Sequence, residues 1–286
     1  AAKLRTKAKE AYEFALTNPG AQQTASVVSP YIYAEDNWAD DMELAAIQLD
    51  YLGQGGEYIE EALKYAAMEP VTPWMGADTA SHYQWYPFVN LGHYFLAQNA
   101  KGAERDTVIA YMKKGLEGIL RRGETNPFLN GVPFIWCSNN LVAAAITQCR
   151  LYQQLTGSDE FAEMEASLRD WLFGCNPWGT SMIVGLPSWG DYPEDPHSSY
   201  RDGGKKLAAT PGGLVDGPVY STIYNGLIGI RLSKEDVYAP FQTTLCVYHD
   251  DYGDYSTNEP TMDGTASLSF YLSAMQQMGQ KQAEGK

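Results

Sequence analysis

Apolar residues recur at helical spacing through most of the first three-fifths of the chain. Leu4, Ala8, Ala11 and Ala15 form one stripe, closed by Asn18-Pro19-Gly20, and predict a first helix. A second is predicted from about Trp38 through Met42, Ala45 and Leu49, stopped at Gly53, and a third, with Ile59, Ala62, Leu63 and Ala66, ends before Pro70. The pattern returns from Phe88 to Leu96 and again through Val108, Met112, Leu116 and Ile119. Leu141–Leu155 and Phe161–Leu172 predict a pair joined by Gly157-Ser158, with Asp159 and Glu160 in the new helix's first turn, where negative charge suits the helix dipole. A last helix is predicted from about Thr261 to Met278, closed by Gly279. No segment before residue 219 alternates as a strand would. Roughly eight helices with alternating short and long links predict an all-α protein of helical hairpins packed in a ring or a solenoid. No repeat of roughly 34 or 40 residues is visible, which counts against a regular solenoid.

From Gly174 to Asn258 the pattern changes to Gly, Pro, Ser, Asp and Tyr, with one apolar patch, Val219 to Leu232, that suits a helix or a strand. An irregular segment this long is functional or disordered, and its many rings and few Lys or Glu argue against disorder. Loops on one rim of a helical scaffold are where a binding cleft is built.

A net charge of −15 with no run of Lys and Arg excludes nucleic acid as a partner and disfavours polyanionic substrates, but not a neutral polymer. The sequence holds 20 Tyr, 9 Phe and 7 Trp, and sugars present flat C–H faces that stack on rings. Most of these rings are nonetheless expected in the core. No apolar run reaches the length of a membrane span. Cys137, Cys149, Cys175 and Cys246 show no CxxC pairing and no zinc-ligand spacing; two disulfides and four buried thiols both fit.

The stretch YHDDYGDYSTNEPTMDGTA, Tyr248 to Ala266, sets Glu259 directly before Pro260 at a predicted helix start, so that Glu259 reads as the N-cap and Pro260 as the first helical residue. Asp250, Asp251, Asp254 and Asp263 crowd it, with Tyr248, Tyr252 and Tyr255. A carboxyl among like charges and rings is held back from ionising, as a general acid must be. The helix terminus works against this by favouring the carboxylate. On local chemistry a proton donor for glycosidic cleavage and an acidic helix cap or cation site stand equal.

Tyr248-x-Asp250, Tyr255, Glu259, Thr261 and Ala266 resemble the signature around the catalytic acid of glycoside hydrolase family 9, the inverting cellulases, with Thr265 where that signature has Asn. Three further segments resemble the family in order: EDNWADDMELAAIQL (Glu35 to Leu49), GCNPWGTSMIVG (Gly174 to Gly185) and LAATPGGLVDGPVY with Pro211 to Pro218. The resemblance implies an (α/α)6 toroid whose N-terminal portion is missing from this chain, so that residues 1–286 form a partial catalytic domain with a long active-site loop region at about 174–258. The opening AAKLRTKAKEAYEF, which enters straight into a helix, fits the interior of a longer protein.

The same resemblance implies an endoglucanase that cleaves β-1,4-glucosidic bonds with inversion, extracellular or periplasmic, with Glu259 as the acid. The catalytic base is an Asp of an Asp-Ala-Gly-Asp segment that this sequence does not contain, expected upstream of Ala1; Gly76-Ala77-Asp78 and Gly190-Asp191 imitate it only in part. A family Pro-His-x-Arg motif is met by Pro196-His197-Ser198-Ser199, with Ser199 in the Arg position and Arg201 two places on. His197, Arg201, Trp136 and Tyr255 are thereby expected to position a neutral β-glucan, with Asp250 orienting or tuning the acid. Trp85 and Trp38 are weaker platforms, Trp171 belongs to a core stripe, and Trp178 fits either role. The reaction requires no cofactor. A structural calcium is an option at Asp36, Asn37, Asp40 and Asp41, since some family members bind it near such a helix start, though the last two equally suit a first turn. The rivals are an exo-acting hydrolase of short β-glucans or glucosamine oligomers in the same family, a glucan-binding protein without turnover, and, disfavoured by charge, a toroid lyase.

Overall fold

The computed structural model describes residues 1–20, 38–53, 56–76, 89–199 and 211–285. The chain divides into two compact units, Ala1–Gly118 with Leu151–Ser158, and Ile119–Arg150 with Asp159–Lys286.

The first unit holds α1 (Ala2–Thr17), α2 (Ala39–Gly53), α3 (Ile59–Met68), the single turn α4 (Pro73–Gly76), α5 (Leu91–Asn99) and α6 (Gly102–Gly123) as far as Gly118. Its core gathers Met42, Ala46, Ile47, Ala62, Tyr65, Leu96, Ala97 and Val108; of the predicted stripe positions Met42, Leu49, Ala62, Ala66, Leu96 and Val108 are buried, while Ala45, Ile59 and Leu63 are only partly so. The stripe of α1 does not pack as its spacing suggests: Leu4 is 75% exposed, and the helix docks instead through Tyr12, whose ring meets Tyr58 edge-on at 5.7 Å. One tyrosine ring removes more apolar surface from water than a row of alanines. α5 begins three residues later than Phe88, because the Asn90 side chain caps it by accepting from the His93 N–H at 3.0 Å. The His93 ring pairs through Nδ1 with the fully buried Glu43 carboxylate at 2.8 Å.

The second unit is built around α7 (Ser138–Thr156), with α8 (Ala162–Leu172) and α10 (Met262–Glu284). Leu141 to Ile146 are all buried, so α7 is apolar around its whole circumference there, as a central helix must be. Arg150 of α7 pairs with Glu165 of α8, which also accepts from the Tyr271 hydroxyl of α10 at 2.9 Å. Trp171, 2% exposed, stacks on Phe134 and meets Trp178 edge-on, so both tryptophans are core. α10 does not stop at Gly279 but continues to Glu284. A helical glycine costs about 1 kcal/mol, and the good helix formers Gln276 to Met278 and Gln280 to Ala283 on either side outweigh it. None of the four cysteines forms a disulfide.

The segment between α8 and α10 is irregular among its described residues, as predicted. The patch at Val219 resolves into a short strand β1 (Val219–Tyr220), antiparallel to β2 (Cys246–Val247), and one helical turn, α9 (Ser221–Tyr224). Gly174, Gly179, Gly185, Gly212 and Gly217 all take positive φ, which gives the loops their reversals.

Candidate active site

The site lies in the second unit, where two stretches far apart in sequence pair side by side. The Asp216 N–H donates to the Glu259 carbonyl at 3.0 Å, the Gly217 N–H to the Thr257 carbonyl at 3.0 Å, and the Thr261 N–H to the Leu214 carbonyl at 3.1 Å. Residues 214–217 are held in turn by the start of α7. Asn139 donates to the Asp216 carbonyl through its backbone at 2.9 Å and to the Val215 carbonyl through its side chain at 2.9 Å. The Ser138 hydroxyl donates to the Pro218 carbonyl at 2.7 Å. This close approach demands a glycine: Gly217 has φ +87°, and a β-carbon there would lie 2.4 Å from Asn139 Cγ.

The pairing corrects the expected role of Glu259. Pro260 sits in an antiparallel bridge with Val215, and the N-cap of α10 is Thr261. Glu259 is therefore two residues outside the helix cap, on an extended segment, with its side chain exposed. The dipole effect that opposed the acid reading fades beyond the first turn.

The aspartates around it are builders of the loop. Asp250, 8% exposed, accepts the N–H groups of Glu194 and Asp195 at 2.9 Å and the Asn258 side chain at 3.1 Å. Asp251 accepts the Ser233 N–H at 2.7 Å and hydroxyl at 2.8 Å, and the Gly253 N–H at 2.7 Å. Asp254, fully buried, faces His249 Nδ1 at 2.8 Å and accepts from Ser256 and the Thr257 hydroxyl. Burial alone would raise its pKa, but the hydrogen bonds from His249, Ser256 and Thr257 bring it below the ordinary carboxylate value. Asn258 completes the frame: its Nδ2 donates to the Asp195 carbonyl at 3.0 Å, and its Oδ1 accepts the hydroxyl of the buried Tyr248 at 3.2 Å.

On this frame Trp136, Tyr255 and His197 come together. The Trp136 and Tyr255 rings lie nearly parallel, 12° apart in plane and 6.2 Å between centroids, and the His197 ring meets Tyr255 at 6.2 Å and 69°. The His197 N–H donates to the Asn258 carbonyl at 2.9 Å, the residue next to Glu259. Its Nδ1 lies 2.6 Å from the Tyr252 carbonyl, which can only accept, so Nδ1 carries a proton and Nε2 is the ring nitrogen left to face a ligand. Trp85, Arg201, Asp36 and Asn37 lie outside the described residues. Trp38 packs against Tyr65 in the core of the first unit.

One carboxyl escaped the sequence reading. Asp216 is 3% exposed, its Oδ1 has no partner among the described residues, and its carboxyl meets the Cys137 thiol. Burial above all, then the Glu259, Asp263 and Asp254 carboxylates, hold its pKa well above the ordinary value against the lowering effect of the Cys137 hydrogen bond. The available signal was an aspartate inside the apolar run Leu214-Val215 and before the turn Gly217-Pro218.

Asp40 and Asp41 open α2, and burial with the Asp41 charge pushes Asp40 up to about 7. Among the described residues no three His, Cys, Asp or Glu side chains come together to hold a metal, and two of the four expected calcium ligands, Asp36 and Asn37, lie outside those residues. Nor is any helix of the described residues long and apolar enough to cross a membrane.

The model of glycosyl hydrolase family 9 matches residues 1–272. Among solved structures the chain is similar to a thermostable endoglucanase of Alicyclobacillus acidocaldarius, at TM-score 0.68 and 19% identity over 93% of this chain and 48% of that one. It is similar to AaCel9A in complex with cellobiose-like isofagomine, at TM-score 0.68 and 18% identity over 93% and 49%. The cellulase Cel9M of C. cellulolyticum matches at TM-score 0.61 and 18% identity over 92% and 55%. The chain thus spans about half the length of these structures. No curated protein matches it. The likeness establishes the fold class, that of the (α/α)6 barrel glycoside hydrolases.

Proposed function

Because the chain belongs to glycosyl hydrolase family 9, we propose that it serves in the inverting hydrolysis of β-1,4-glucosidic bonds in a neutral β-glucan, with Glu259 as the proton donor. The supporting observation is that Glu259 stands exposed on a braced segment, while the three neighbouring aspartates of its loop are occupied in hydrogen bonds. In this reaction the Glu259 carboxyl gives its proton to the glycosidic oxygen as the C1–O bond breaks. A water attacks C1 from the opposite face and gives its proton to a second carboxylate, so that the anomeric configuration inverts. By the family resemblance that carboxylate belongs to an Asp-Ala-Gly-Asp segment, which residues 1–286 do not contain. Trp136, half-buried and ring-parallel to Tyr255, offers a sugar platform, and His197 Nε2 accepts from a sugar hydroxyl. No metal takes part in this route. An extracellular or periplasmic location, where a glucan polymer is encountered, belongs to the same reading.

The test is reducing-end release from a soluble β-1,4-glucan by the chain in its whole catalytic domain. Glu259→Gln is expected to lower the rate about 10²- to 10⁴-fold, the usual contribution of a general acid, with glucan binding retained. Random shortening of the polymer marks endo action and a single small product marks exo action. Binding without any release in the unaltered protein would make it a glucan-binding protein instead.

A further inference from the structure

The pairing of 214–217 with 257–261 joins Asp216 to Glu259 through one backbone hydrogen bond of 3.0 Å. Asp216 is otherwise an expensive residue to keep. It is 3% exposed, its Oδ1 finds no partner among the described residues, and a buried carboxyl with an unmet oxygen destabilises the fold. Cys137, whose thiol meets its carboxyl, is itself held at φ +56°, a left-handed conformation that costs a non-glycine residue energy and that recurs at functional sites. Two unfavourable residues meet directly behind the segment that carries Glu259.

We propose that Asp216 is a positioning residue for Glu259, acting through the strand pairing it makes with Glu259 and through the buried carboxyl it sets behind that segment. The inference rests on the proton-donor reading of Glu259, but its electrostatic part can be tested without hydrolysis. The groups that face Asp216 are Cys137 from the turn before α7, Glu259 and Asp254 from the acidic loop, and Asp263 from the first turn of α10. Neutral, Asp216 can stay buried and keep residues 214–217 seated. Ionised, it would set a second negative charge behind Glu259 and press on the pairing that holds it. Burial and these carboxylates make it hold its proton to higher pH than an ordinary aspartate does. The coupling is mutual: the Glu259 charge holds the proton on Asp216, and removing that charge must release it at lower pH.

Carboxyl-carbon NMR of the full chain labelled at aspartate reads this directly. The resonance lost in Asp216→Asn is that of Asp216, and it is expected to titrate above the ordinary aspartate value. Glu259→Gln should move its midpoint to lower pH, and Cys137→Gly, which removes the thiol hydrogen bond while keeping the positive φ, should move it higher. In the hydrolysis assay Asp216→Ala should lower kcat about 10- to 100-fold with little change in KM, the scale expected of a misplaced catalytic group, and Asp216→Asn should restore most of that loss. An Asp216 resonance that titrates with the ordinary aspartates, or a midpoint unmoved by Glu259→Gln, overturns the proposal. If instead Glu259→Gln hydrolyses glucan normally while the Asp216 midpoint shifts, the coupling stands and the proton-donor reading fails.

Discussion

Asn258 ties the acidic loop to Asp195 and Tyr248 through one side chain, and Asn258→Asp isolates that role with almost no change of shape. The side chain is fully buried, donates to the Asp195 carbonyl at 3.0 Å and to Asp250 Oδ1 at 3.1 Å, and accepts from the Tyr248 hydroxyl at 3.2 Å. The substitution keeps the acceptor and replaces the amide donor by an oxygen that faces a carbonyl and a carboxylate. A lost neutral hydrogen bond costs about 1 kcal/mol and one to a charged group about 2 kcal/mol. Repulsion from Asp250 adds to this, so a total of about 3–5 kcal/mol is expected above neutral pH, a large share of a typical domain's stability. The pH dependence follows from the sign. The introduced carboxyl is buried beside like charge, so its folded pKa lies above its unfolded one. The penalty is smallest below the unfolded value of about 4, where the protonated group can still donate, and grows as pH rises through the folded value. Urea unfolding of the variant and the unaltered chain, followed by tryptophan fluorescence at pH 4 and pH 8, measures both. A difference under about 1 kcal/mol at pH 8, or one equal at the two pH values, would refute the assigned network.

Gly217→Ala should cost about 2–4 kcal/mol, since a β-carbon at φ +87° would lie 2.4 Å from Asn139 Cγ; an unchanged Tm would show that the start of α7 yields. Asp40, pushed up to about 7 from 3.8, is raised roughly three units, each worth about 1.4 kcal/mol. That destabilisation is absent below the unfolded pKa and grows until pH passes about 7. Asp40→Asn should therefore gain a few kcal/mol over the unaltered chain at pH 8 and nothing at pH 3, read by denaturant midpoints. Trp136→Ala should weaken binding of a soluble cello-oligosaccharide about tenfold, the worth of one ring face, without lowering Tm, because the ring is only half-buried; calorimetry that finds equal affinity would remove Trp136 from the site.

The helices were legible because each presents a 3.6-residue stripe, and α2, α3, α7 and α8 start and stop within a residue or a few of their sequence signals. What local reading missed are pairings over long distances. Pro260 after Glu259 looks like a helix start, yet its bridge partner Val215 lies 45 residues earlier and takes the extended backbone instead. The cluster Asp250, Asp251 and Asp254 looked like charge crowded about an acid, because spacing cannot show that their oxygens point at Glu194, Ser233 and His249. Trp136, His197 and Tyr255 have no common local pattern. Only the family resemblance picked them out, and the loop fold brings them together.

The distribution of charge in the acidic loop explains how so many carboxylates can share it. Asp250, Asp251 and Asp254 are each buried, and each is met by backbone N–H groups, hydroxyls or an imidazole, so their charge is balanced where it sits. Asp216 is buried without such donors, and its pKa is raised instead. Glu259 belongs to neither class, since it is exposed and, among the described residues, is fixed by its backbone. A polymer laid on the Trp136 face would remove water from that one remaining carboxyl, and desolvation favours its protonated form. Under the proposed function the loop supplies the braced segment, and a bound glucan would complete the environment in which Glu259 holds its proton until the glycosidic oxygen takes it.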